Sequence, residues 1–180
     1  SDGWARIFVC DEEGLVSLGV DKSQATKLEG WSVAVDSLSL ESRGENLIRP
    51  EGAKKAFTHA MKMADATPAD ISFQEIHDCF SIMGPIAAET TGQADVGHGL
   101  AFFKDGHAAL DGRCPMNTSG GLIAKGHPIS ATGIAMIGWV HSQILGKAPE
   151  ALQLDKTDLG TTLNIGGPIC STVVTVQRPS

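Results

Sequence analysis

Two short stretches of this 180-residue chain gather the side chains that can act on a carbonyl group. Residues 77–80 read HDCF and place His77 and Cys79 two positions apart. Residues 120–133 read GGLIAKGHPISATG and set His127 and Pro128 between glycine-rich flanks, ahead of a long apolar run. An imidazole at the start of a buried helix stands in a positive backbone field, which suits a hydrogen-bond donor or a base facing an oxyanion. The alternative for His127 is a histidine satisfied within the core. HDCF follows the strand-like run ISFQEI, where α/β architectures place functional groups. A helix starting at about Cys79 predicts a thiolate stabilised by its amides and by the neighbouring imidazole. Asp78 is then the candidate cap of that helix.

A third stretch, NIGG at 164–167, brings two glycines after a strand, whose N–H groups can approach a ligand closely. A turn without a ligand satisfies the same residues. His77, Cys79, His98 and His107 can be written as a zinc set, but their spacings fit no common zinc pattern. Cys79 with His127 as nucleophile and base stays open as a papain-like reading. Cys10, Cys114 and Cys170 read as ordinary core or loop residues.

These groups need elements to hold them. Residues 4–9, WARIFV, and 31–40, WSVAVDSLSL, have strand character. After Pro50, the spacing of Ala53, Ala56, Phe57, Ala60 and Ala64 predicts an amphipathic helix that stops near Ala66, before TPAD. ISFQEIH predicts a short buried strand, and FSIMGPIAAETTG a helix bent at Gly84 and Pro85. Residues 93–119 read as loop. The run after Pro128, from Ile129 to Leu145, is apolar nearly all round and predicts a helix covered on several sides. TTLNI, the turn at Gly166 and Gly167, and ICSTVVTV predict a closing pair of strands.

Composition sets the bounds. A hydrophobic fraction of 42% with 21 glycines and alternating strands and helices predicts one α/β domain. A net charge of −7 argues against nucleic acid or an anionic membrane as partner. Four cysteines without short pair spacing, and no apolar span of membrane length, predict a reduced cytoplasmic protein. The chain opens at Ser1 directly into a strand-like pattern, which predicts a segment of a longer protein.

HDCF, then GHP leading into an apolar helix, then NIGG before a final strand resemble the thiolase superfamily, specifically its sterol-carrier-protein-type branch, which includes acetyl-CoA acetyltransferases. SDGWA at the start is similar to the strand that closes the first half of a thiolase. The resemblance implies the layered αβαβα fold, with residues 1–48 as the trailing strand and connection from the N-terminal half and 49–180 as the C-terminal domain. It implies a buried helix between sheets. The activity it implies is acyl transfer with coenzyme A, by cleavage of a 3-oxoacyl-CoA or condensation of two acyl-CoA molecules.

By the same resemblance His127 would activate the nucleophilic cysteine and bind a thioester oxygen, and His77, standing where other thiolases have asparagine, would join that oxyanion site. Cys79 would act as acid and base, because Asn164 occupies the position of the more familiar acid/base cysteine. The amide of Gly166 would serve a second oxyanion hole. No tightly bound cofactor is implied, and coenzyme A and acyl-CoA are substrates. The family's nucleophile lies in the first half of the fold, so the resemblance predicts an inactive chain until that half, in the same or a separate chain, joins it in a homo- or hetero-oligomer. The absence of tyrosine removes the role that related steroid side-chain aldolases give that residue. A non-catalytic partner subunit and a cysteine hydrolase remain the alternatives.

Overall fold

The computed structural model describes residues 2–39, 41–46 and 48–180 and builds them around a four-stranded mixed sheet. In chain order the elements are α1 (Glu12–Leu18), β1 (Thr26–Val35), α2 (Glu51–Met63), β2 (Phe73–Ile76), α3 (Met83–Thr90), α4 (Gly99–Lys104), α5 (Gly121–Lys125), α6 (Thr132–Ile144), β3 (Gly160–Gly166) and β4 (Ser171–Pro179). The strands lie in the order β1-β4-β3-β2. β3 and β4 form an antiparallel hairpin, β1 runs antiparallel along β4, and β2 is parallel to β3. A parallel pair needs a long crossover, and the chain from α3 through α6 supplies it.

Alternation along the strands divides the core. Ile76, Leu163, Ile165, Val174 and Val176 point to one face and pack with α2 and α3. Phe73 points to the other and packs with Val140 of α6 and Leu154. Helices therefore cover both faces of the sheet, which is the α/β layering expected. α2 buries Ala53, Ala56, Phe57, Ala60 and Met61 on one stripe, as its spacing predicts, with Pro50 as the cap residue before its first turn. It lies so close to β1 that a Cβ on Gly30 would stand 2.1 Å from the Ala60 carbonyl oxygen.

α6 seats one line of residues, Thr132, Met136, Val140 and Gln143, on the sheet, while the rest of its circumference is half-buried. Gln143 is fully buried and spends its amide on Thr118, Leu152, Leu154 and Gln153, fixing the helix to the loops around it.

Two expectations need correction. WARIFV forms no strand: residues 2–10 run without strand partners, and Trp4 and Phe8 are 83% and 76% exposed. A strand needs a neighbour to take its N–H and C=O groups, and no described residue offers one there. Residues 93–119 are not all loop, since GLAFFK forms α4 and buries Phe102. A helix of under two turns carries too few residues to show a period.

Candidate active site

β2 delivers the first imidazole. Its amides pair with β3, and the His77 N–H extends that ladder to the Leu163 carbonyl at 2.9 Å. On its other side, residues 115–117 run along the strand, with the Ile76 amide bonded to Asn117 Oδ1 at 2.7 Å. Held from both sides, the strand end leaves His77 only 4% exposed. Its Nδ1 lies 2.9 Å from Oδ1 of Asn164 on β3. Burial pushes the His77 pKa down, the Asn164 hydrogen bond raises it, and the nearby His127 lowers it further. The ring is thus neutral near neutral pH.

The second imidazole comes from the loop between α5 and α6. His127 Nδ1 lies 2.8 Å from Thr132 Oγ1, in the first turn of α6. The helix expected from Ile129 starts later: the Pro128 carbonyl accepts from the amides of Ala131 and Thr132, closing a turn, and α6 begins only at Thr132. His127 is therefore set against the helix start by a side-chain bond to Thr132. The two rings meet edge to face, with centroids 4.8 Å apart and planes at 83°.

The loops carrying the two rings are tied to each other. Asp78, next to His77, accepts the Leu122 amide at 2.7 Å and so caps α5, not the helix that follows HDCF. Gly121 makes this possible, with φ of +62° and no Cβ, which would stand 2.1 Å from Asp78 Oδ2. Beneath, the buried Glu75 carboxylate accepts the Ser119 amide at 3.1 Å and the Ser119 hydroxyl, and Lys125 Nζ lies 3.7 Å away. Burial raises the Glu75 pKa, with Ser119 and Lys125 acting against it.

Cys79 departs from expectation. It sits on a bend four residues before α3, which begins at Met83, so the thiol does not stand in that helix's first turn. Burial pushes the Cys79 thiol up, and Asp78 adds to this against the amides of Cys79 and Phe80. Cys79 is exposed. A resting thiol, not a thiolate, occupies this position.

Gly166 lies at the exposed end of β3, two residues beyond Asn164. Cys114 and Cys170 are buried and Cys10 exposed. Among the described residues no three metal-capable side chains gather, and His98 and His107 lie on the α4 segment, His107 against Phe102. The sequence motifs name His77 and His127 as candidates but not the contacts that hold them and their loops, made by Thr132, Glu75 and Asn164. The residue types offered no signal, because each contact joins distant elements or crosses a turn.

Residues 32–178 match the family described as thiolase C-terminal domain-like. The chain is 38% identical over 167 residues to the acetyl-CoA acetyltransferase of Methanothermobacter thermautotrophicus, a match covering 93% of this chain and 42% of that protein. It is 31% identical over 181 residues to sterol carrier protein 2 of Rattus norvegicus, covering 99% of this chain and 32% of that protein. The chain thus spans less than half the length of the curated relatives it matches. Among solved structures, the monomeric SCP2-thiolase like protein type 1 of Mycobacterium smegmatis superposes with a TM-score of 0.66 at 17% identity, over 93% of this chain and 32% of that one, a likeness of fold.

Proposed function

Because this chain belongs to the thiolase C-terminal domain-like family, we propose that it supplies the acid/base and oxyanion-binding half of an acyl-CoA acyltransferase. The observation that supports this most is the pair of imidazoles brought edge to face at 4.8 Å from two separate loops, each with Nδ1 engaged by a protein oxygen. In this reading a ligand oxygen binds beside the two rings so fixed. A thioester or enolate oxygen gains charge during acyl transfer, and donors held next to it stabilise that charge. In this reading His127 also takes the proton of the nucleophilic thiol, which belongs to the half absent from these residues. Cys79 exchanges the α-proton of an acyl-CoA, and the Gly166 amide serves a second oxyanion site. Acyl-CoA and free coenzyme A are the substrates, with no tightly bound cofactor.

Residues 1–48 are read as the connection from the other half, and β1 carries it into this sheet. The exposed side of β1, with Trp31, Val33 and Val35, and Val173 opposite Val33 on β4, is an apolar strip suited to that half. It belongs to the same chain or to a second subunit of an oligomer. No described helix is long and apolar enough to cross a membrane. The cytoplasmic location in this reading rests on the free cysteines.

The test is acyl exchange between acyl-CoA and coenzyme A by the intact protein. His127→Ala and Cys79→Ala should each lower kcat at least a hundredfold, in the range expected for loss of a positioned acid or base. The 180 residues alone should be inactive. Turnover by the double variant, or thiolysis by this chain by itself, overturns the proposal. A second reading, a non-catalytic subunit, is favoured by the unactivated Cys79 thiol. It predicts that Cys79→Ala leaves turnover by the assembly unchanged. The hydrolase reading requires alkylation-sensitive ester hydrolysis by this chain alone.

A further inference from the structure

We propose that Asn164 is a positioning residue that fixes which nitrogen of His77 carries the proton, so that Nε2 faces the ligand as a proton acceptor. The inference rests on the acyltransferase reading of the site. A neutral imidazole has one N–H and one lone pair, and its partners decide which nitrogen holds which. The Asn164 side-chain oxygen lies 2.9 Å from Nδ1, and an amide oxygen can only accept. Nδ1 therefore donates, and the lone pair is left on Nε2.

Asn164 is itself held in place. It projects from β3 towards α6, where its Nδ2 fills the space beside Gly133: a Cβ on that glycine would stand 2.7 Å from Nδ2. The residue is thus clamped between the first turn of α6 and the end of β2. That same turn holds His127 through Thr132, so one end of α6 sets both rings. The charged or titratable groups around His77 are His127, its chain neighbours Asp78 and Cys79, and Glu75 on the same strand face. Asn164, Thr132 and Gly133 bring no charge.

The consequence is a sequence of states. At rest His77 accepts at Nε2. It joins the oxyanion site after taking a proton there from solvent: an N–H bond forms at Nε2, the bond from Nδ1 to Asn164 persists, and the imidazolium donates from both nitrogens at once. The Asn164 oxygen stabilises this cation. A leucine of similar size at 164 removes the acceptor, and an aspartate strengthens it.

Nitrogen-15 NMR of histidine-labelled intact protein, with His77 assigned by a His77→Gln variant, reads the tautomer directly. The expected result is Nδ1–H in the wild type. In Asn164→Leu the proton should move to Nε2 or divide between the nitrogens, and the titration midpoint should fall. In Asn164→Asp, Nδ1–H should remain and the midpoint should rise. Where turnover is measurable, Asn164→Leu should lower kcat about tenfold to a hundredfold, the usual effect of losing a hydrogen bond to a charged group. The pH limb that reports His77 should move down in that variant and up in Asn164→Asp.

Nε2–H in the wild type, or an unchanged tautomer and midpoint in a folded Asn164→Leu, overturns the inference. If the leucine variant fails to fold, the wild-type tautomer and the aspartate shift decide. An enzyme with no acyl exchange but with these spectra loses the acyltransferase reading and keeps the Asn164 assignment.

Discussion

At the scale of single residues, burial holds two candidate groups without charge. His77 is buried and its pKa lies below the ordinary 6.5, chiefly through desolvation. Cys79 is displaced the other way, again by desolvation, so both rest uncharged near neutral pH. For His77 this has a measurable cost in acid. A folded state that binds the proton less tightly than the unfolded chain loses stability as pH falls below 6.5 towards the lowered value, and is unaffected above it. His77→Gln should abolish that part of the acid-side decline. Urea denaturation of wild type and variant across pH 5 to 8 checks it: parallel curves throughout would contradict a neutral buried ring.

At the scale of elements, close backbone approach is what brings the parts into register. α2 presses on β1 at Gly30, where any Cβ would stand 2.1 Å from a backbone carbonyl that cannot rotate away. Gly30→Ala should therefore cost about 2 kcal/mol, the middle of the range for overpacking, and lower Tm by about 4–8 °C for a chain of this size. Calorimetry against a control substitution on the exposed face of α2 checks this. The α5 segment follows the same logic through side chains: the Asp78 cap above and the Glu75–Ser119 bonds below fix the segment that leads into His127. α2 itself was legible in the sequence because its stripe is local. α4 was not, and neither was the role of Asp78, which caps a helix distant in the chain.

At the scale of the whole molecule, helices cover both faces of the sheet except on the side of β1 away from α2. There Trp31, Val33 and Val35, alternate residues on one side of the strand, are 55%, 56% and 75% exposed and form an apolar patch of the kind that marks an interaction surface. Completing the burial of each would contribute about 1–2 kcal/mol, the exposed share of the full value for a large apolar side chain. The 180-residue chain should therefore self-associate and bind an apolar dye, and Trp31→Lys with Val33→Lys should reduce both while leaving the circular dichroism unchanged. Dye binding equal in the two forms would mean that the apolar surface lies elsewhere.

The sequence by itself determined the α/β class, a helix after Pro50, an apolar helix beyond Pro128 and the closing hairpin, because periodicity, glycine turns and short motifs are written in neighbouring residues. Only the tertiary structure decided that His77 and His127 stand 4.8 Å apart, that Asn164 and Thr132 hold them, and that the Cys79 thiol is not activated by a helix. WARIFV shows the reason from the other side: strand-forming residues stayed unpaired for want of a neighbour. Hydrogen-bond partners and desolvation depend on which distant segments arrive together, and local residue type does not encode that arrival.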